Sequence, residues 1–192
     1  MAEATTAGIA AGVVAKGVVD ENNVVSVTKR LVITENGKER DMALIDAVVL
    51  EQAFVGARAV WNLSEVRQIV CTRAEPESIG LSAIGGSVCP VWSDDDYGLY
   101  LELGEGELIS RAPVLPGVIQ EIGILQFRKL ALGEEVSLVV KPCLIALDGE
   151  REMVVNSEDE VRIKVERNGP RVVDINKAVR QAAERGFFTV HN

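Results

Sequence analysis

Along most of this chain, apolar and polar residues alternate with a period of two. From Val24 to Thr34 the residues Val25, Val27, Leu31 and Ile33 share one parity, as a half-buried strand requires, and Lys29 is the exception. Asn36-Gly37 then supplies the positive φ angles of a tight hairpin turn. The return strand is expected from about Lys38 to Leu50; its second half, Ala47-Val48-Val49-Leu50, is apolar on both faces, which places it centrally in a sheet. Further strands are predicted at Val66–Thr72, Gly98–Leu103, Val118–Phe127, Glu135–Val140 and Cys143–Leu147, then at Val154–Val155 and Val161–Glu166. Asp148-Gly149, between two apolar runs, is the strongest hairpin signal, and Asn168-Gly169 is a third turn of the same chemistry.

The two ends read differently. Thr5 to Lys16 is rich in Ala and reads as a short helix weakened by Gly8 and Gly12. At the other end Asp174 can cap a helix whose residues Ile175, Ala178, Val179, Ala182 and Ala183 recur at i, i+3, i+4, i+7 and i+8, with Gly186 as its stop. The expected architecture is mainly β, a β-sandwich with a short N-terminal helix and a C-terminal helix. Residues 1–20 form a helical lead or linker and residues 21–192 a single domain.

Composition changes this picture little but excludes several functions. The 192 residues carry a net charge of −9, with 20 Lys and Arg against 29 Asp and Glu. Such a field repels nucleic acid and anionic membrane surfaces unless a basic patch overrides it, and none is visible. The apolar run Ala7–Val19 contains Lys16 and falls short of the roughly 20 residues of a membrane span. Cys71, Cys89 and Cys143 are odd in number and widely spaced, which suits reduced thiols in a cytoplasmic protein. The single histidine, His191, leaves a Ser-His-Asp or Cys-His triad without a base and a histidine-rich zinc site without ligands. No catalytic residue and no bound metal are expected.

Candidate binding chemistry sits in three places. Ser78 to Ser87 is glycine-rich, suited either to structural turns or to close backbone approach to a ligand; it is neither a P-loop nor a dinucleotide fingerprint. Asp46 adjoins an apolar run, so its partly desolvated carboxylate needs a partner, which is either an arginine or a ligand hydroxyl. Asp148 has the same surroundings but also fits plain turn chemistry. The acidic runs Asp94–Asp96, Glu102–Glu107 and Glu158–Glu160 read as solvated loops, because the ligand spacing of a calcium loop is missing.

The order of these segments resembles the C-terminal domain of the NAD kinase family, and within it the acetoin-catabolism X and ATP-NAD kinase-like branch. Met42–Val49 looks like the strand carrying an Asn-Glu pair in that family. Thr72 through Gly86, with Gly80-Leu81-Ser82-Ala83-Ile84-Gly85-Gly86, resembles its loop that ends in Leu-Ser-Ala-Gly-Gly. Ile109–Gly117 and the Asp148-Gly149 hairpin follow in the family's order, as does Gly169–Asp174 with its helix. The resemblance implies a C-terminal β-sandwich that holds NAD and builds a homo-oligomer. It would complete a kinase whose N-terminal domain bears a Gly-Gly-Asp-Gly motif absent from this chain, ATP with Mg belonging to that complete kinase alone. It places Asp46 where the family has Glu, and Ile45 in place of its Asn. Ser78, Ile79 and Ser82 fall where nucleotide contacts occur, with Ile79 replacing a tyrosine. The implied nucleotide-binding set is Asp46, Ser78, Ile79, Ser82, Gly85, Gly86 and Asp148, in a domain inactive alone. The alternative is a non-catalytic assembly or ligand-binding module, its interface drawn from the C-terminal helix and Phe187-Phe188.

Overall fold

A computed structural model describes residues 3–51 and 63–190, which form two compact units. One is built from the segments up to Thr28 and from Gly169 onward, the other from residues 29–168. No helix among the described residues is long and apolar enough to cross a membrane.

In the first unit, helix α1 (Ala4–Ala15) starts where the Glu3 carboxylate accepts the N–H groups of Thr5 and Thr6 at 3.0 and 3.1 Å. A single turn, α2 (Glu21–Val24), leads into strand β1 (Val25–Val27). Helix α4 (Ile175–Glu184) is capped by Asp174, which accepts the Lys177 N–H at 3.0 Å, and it ends before Gly186 at φ 72°. Both helix expectations hold. Ala10 and Val13 of α1 bury against Ala178 and Ala182 of α4, small side chains that let the two helices approach closely. Beneath them β1 pairs antiparallel with β12 (Arg171–Val173), matching Val25 with Val173. Phe187 and Phe188 are about half exposed and meet edge to face at 5.3 Å.

The second unit is the β-sandwich. Its smaller sheet contains β2 (Arg30–Glu35), β3 (Lys38–Ala43), β8 (Glu135–Ser137) and β11 (Val161–Glu166) in the order β3-β2-β11-β8. Asn36 and Gly37 turn β2 into β3 with φ of 51° and 77°, as the sequence predicts. The larger sheet contains β4 (Asp46–Leu50), β5 (Val66–Cys71), β6 (Tyr97–Leu115), β7 (Val118–Ala131), β9 (Cys143–Leu147) and β10 (Arg151–Val155). Its order is β10-β9-β4-β5-β6-β7, with every neighbouring pair antiparallel. The central position expected for Ala47–Leu50 holds, since β4 lies between β9 and β5.

Alternation along the central strands divides their side chains between two cores. Ala47, Val49, Val70, Ile145 and Leu147 face Leu31, Ile33, Ile163 and Val165 of the smaller sheet. Val48, Ile69, Cys71, Leu99, Leu101 and Leu144 face the other way. That second face is roofed by the short helix α3 (Ser82–Gly86), which contributes Ala83 and Ile84, and by Ala112, Val114, Ile122 and Ile124 from the far half of the β6–β7 ribbon. The ribbon bends at Gly104, Gly106 and Gly123. A Cβ on Gly123 would stand 2.0 Å from the Gly104 carbonyl oxygen and one on Gly106 would stand 2.1 Å from that of Ile124, so only glycine lets the two backbones cross there.

Several expectations need correction. The stretch 38–50 is two strands, β3 and β4, in different sheets, rather than one. Val24–Thr34 is interrupted at Thr28 and Lys29. Lys29 is buried, and its ammonium donates to the carbonyls of Trp92 at 2.9 Å and Tyr97 at 2.7 Å. Burial together with the Arg167 charge lowers its pKa to about 8. Glu102–Glu107 belongs to the strand and bend of β6, not to a loop. Ser93–Asp96 is more than a solvated turn: the Arg167 guanidinium donates to the carbonyls of Ser93, Asp94 and Asp95 and pairs with Asp96. Asn168-Gly169 makes no hairpin, since β11 and β12 pair with other strands and Gly169 does not adopt a positive φ.

Candidate functional site

At the end of the larger sheet, where β3 crosses over to β4, the chain faces a local difficulty. The backbone N–H groups of Leu44, Ile45 and Asp46 leave one ladder before entering another, and those of Ile45 and Asp46 are partly buried, so they need acceptors. Asp148 supplies them. Its carboxylate accepts from Leu44 at 2.9 Å, from Ile45 at 2.7 Å and from Asp46 at 3.3 Å. The side chain reaches them because Asp148 and Gly149 form the β9–β10 turn with φ of 53° and 68°, beside β4. From the opposite side the Thr72 hydroxyl donates to the Leu44 carbonyl at 2.7 Å, and the Thr72 N–H to that of Ile45 at 2.8 Å.

A cavity of about 440 Å³ opens at this crossover, within the range of small-molecule sites. Its floor is Ile45, Asp46 and Val48 with Ala146 and Asp148. One wall is Arg73 and the loop Ser78–Ser82, and the other is the tip of the β6–β7 ribbon, Val114, Leu115 and Gln120. The Gly80 N–H donates to the Pro113 carbonyl at 3.1 Å, tying the two walls together. Five of the sequence-derived candidates, Asp46, Ser78, Ile79, Ser82 and Asp148, thus line one cavity although they come from three separate stretches of chain.

Gly85 and Gly86 do not line it. They lie buried in α3, where their missing side chains serve internal packing. A Cβ on Gly85 would come 2.5 Å from Leu99 Cδ2, and one on Gly86 would come 2.8 Å from the Glu75 backbone. Because backbone yields less readily than a side-chain tip, Gly86→Ala is expected to destabilise the chain by about 1–2 kcal/mol in a urea titration. A cost under a few tenths would show that the 75–76 segment shifts freely.

Asp46 differs electrostatically from its neighbour. Burial, and then the adjacent Asp148 charge, push its carboxyl up from 3.8 to about 6. The internal arginine pair that the sequence leaves open for Asp46 is not formed among the described residues. Arg151 instead pairs with Asp41 at 2.5 Å and lies 3.9 Å from Asp148. Ser82 is buried, while Ile79 is 60% exposed and offers an apolar surface at the rim. Sequence reasoning missed Arg73, a single cation at the start of the Thr72–Gly86 stretch, where the resemblance drew attention to the glycines and serines further on. Among the described residues no cluster of three or more His, Cys, Asp or Glu side chains is placed to hold a metal ion.

Fold and site together define a class: a two-sheet β-sandwich domain whose strand crossover carries a small, mainly apolar cavity with a few polar side chains. Residues 29–168 match the acetoin catabolism protein X C-terminal domain, and the chain belongs to that family. It is similar to the acetoin catabolism protein X of Cupriavidus necator, 34% identical over 189 residues, a match covering 95% of this chain and 53% of that protein. The chain spans about half the length of this curated relative.

Proposed function

We propose that this chain is the nucleotide-binding C-terminal half of an NAD-kinase-like phosphotransferase, contributing NAD binding and oligomer contacts, and inactive alone. The observation that supports the reading is that Asp46 and the loop residues Ser78, Ile79 and Ser82, two separate stretches that the family resemblance implies in nucleotide binding, line one cavity. In this reading the Asp46 carboxylate accepts hydrogen bonds from ribose hydroxyls or the carboxamide, and Ser78 and Ser82 offer hydroxyls to the same ligand. Ile79 covers one face of a ring. Asp148 acts through the backbone, holding Ile45 and Asp46 in place. Phosphoryl transfer depends on positioning and charge neutralisation around the transferred group. In this reading ATP with Mg is handled by a partner domain bearing the Gly-Gly-Asp-Gly motif. The name of the Cupriavidus relative connects that protein with acetoin catabolism, and the proposed nucleotide chemistry would serve such a setting.

Calorimetric titration with NAD, NADP and ATP tests the reading. Saturable heat with NAD at or below millimolar concentration is expected, and no conversion of NAD to NADP by this chain alone. Turnover without a partner would overturn the second half of the proposal.

A specific feature favours the second reading, an assembly module. Strand β7 is one of the two edge strands of the larger sheet among the described residues, and it exposes Ile119, Leu125 and Phe127, with Ile109 also exposed on neighbouring β6. Long apolar edges of this kind invite pairing with another chain. A silent calorimetric titration combined with a stable oligomer in light scattering would favour this reading over nucleotide binding.

A further inference from the structure

Every other arginine among the described residues is committed. Each is ion-paired with a carboxylate, except Arg185, which donates to the Val18 carbonyl. Arg73 alone, partly buried in the cavity wall, has no hydrogen bond or ion pair with any described residue. The unpaired Asp46 carboxylate lines the same cavity, and it responds to burial and to Asp148 rather than to Arg73. An acid and a base therefore share one partly desolvated space without neutralising each other.

Partly desolvated charges left without partners are unfavourable, and a ligand that satisfies both relieves them together. The two ends of such a ligand differ in kind. At Asp46, beside the second carboxylate of Asp148, an anion is repelled and hydroxyl or amide donors are accepted. At Arg73 the planar fork of N–H donors suits a tetrahedral oxyanion, and the Ser78 and Ser82 hydroxyls on the same wall can donate to further oxygens.

We propose that Arg73 is the anion-recognition residue of this cavity and that its ligand is a phosphomonoester of a hydroxylated compound, with phosphate on Arg73 and hydroxyls donating to Asp46. The proposal rests on the nucleotide reading above and adds which part of the nucleotide is read. The cavity takes one nucleoside monophosphate moiety, phosphate towards Arg73 and ribose towards Asp46.

The test compares two probes that differ only in the phosphate, nicotinamide mononucleotide and nicotinamide riboside, titrated calorimetrically into the 192-residue chain. The mononucleotide is expected to bind about tenfold or more tightly than the riboside, as charge-assisted hydrogen bonding implies. Arg73→Met removes that preference and leaves riboside binding unchanged. Arg73→Lys keeps the charge but loses the fork, so part of the preference remains. Asp46→Asn weakens both probes by a similar factor. Because Arg73 supports no other described side chain, Arg73→Met should retain the wild-type thermal midpoint, which confirms that the variant is folded. Equal affinity of wild type for the two probes, or a preference that survives Arg73→Met, overturns the role of Arg73 while leaving the nucleotide reading intact. Binding of neither probe at millimolar concentration overturns both.

Discussion

Asparagine in place of Asp46 is expected to stabilise this chain at pH 8 by about 1–3 kcal/mol and to have almost no effect at pH 4. The unfolded carboxyl titrates near 3.8 and the folded one at about 6, because burial and the Asp148 charge disfavour its ionised form. Between those values the folded state binds more protons than the unfolded one, so stability falls as pH rises through that window. Above it the ionised group costs roughly 3 kcal/mol, the energy equivalent of the difference between the two pKa values. Asparagine has nearly the same shape and no charge, so it removes that cost. Urea unfolding at pH 4, 6 and 8 reads the result directly. If wild type and Asp46→Asn keep the same difference in stability at all three values, the raised pKa is refuted. A carboxylate that destabilises its own fold is what a binding site retains when the ligand needs the charge.

The opposite sign is expected at Asp148, although it is the adjacent acid. Asp148→Ala leaves the N–H groups of Leu44, Ile45 and Asp46 without their acceptor; the exposed Leu44 group turns to water, while the part-buried Ile45 and Asp46 groups cost about 1 kcal/mol or more each. It also puts alanine at φ 53°, a conformation that costs L-residues a further kcal/mol or so. Water entering the crossover offsets part of this, and the net loss is expected to be about 2–3 kcal/mol. Asp148→Asn tolerates the backbone and keeps one acceptor oxygen, so it should lose about half as much. Removing the Asp148 charge should also bring the Asp46 carboxyl back towards 3.8, so the two substitutions will not be additive. Chemical denaturation of both single variants and the double variant tests this. An alanine variant within 1 kcal/mol of wild type would show that the crossover does not depend on the carboxylate.

Local pattern was sufficient wherever the determinant lay within a few residues. The turns at Asn36-Gly37 and Asp148-Gly149, the two-sided burial of Ala47–Leu50 and the Asp174 cap all follow from neighbours in the chain. The break at Leu44-Ile45 was not legible, because the group that makes it possible is the side chain of Asp148, about a hundred residues further along. Lys29 looked like a defect in strand parity because its acceptors, the carbonyls of Trp92 and Tyr97, are equally remote. Glycines had two faces. Gly85 and Gly86 suggested approach to a ligand, whereas their missing side chains make room for Leu99 and the Glu75 backbone. For the site, the order of motifs brought Asp46, Ser78, Ile79 and Ser82 into view, since each belongs to a recognisable segment. Arg73 lies in the same Thr72–Gly86 stretch but matches none of its motif positions, and only its lack of a partner among the described residues distinguishes it from the other arginines.

The β-sandwich begins and ends at one spot. Arg30 Nε donates to Asn168 Oδ1 at 2.7 Å, and Arg30 stands opposite Glu166 in the ladder between the first and last strands of residues 29–168. Polypeptide that leaves a body beside its point of entry can be spliced into a host loop with little added closure entropy. Residues 29–168 therefore have the geometry of a portable cassette, one that a surface turn of an unrelated carrier would accept without stretching.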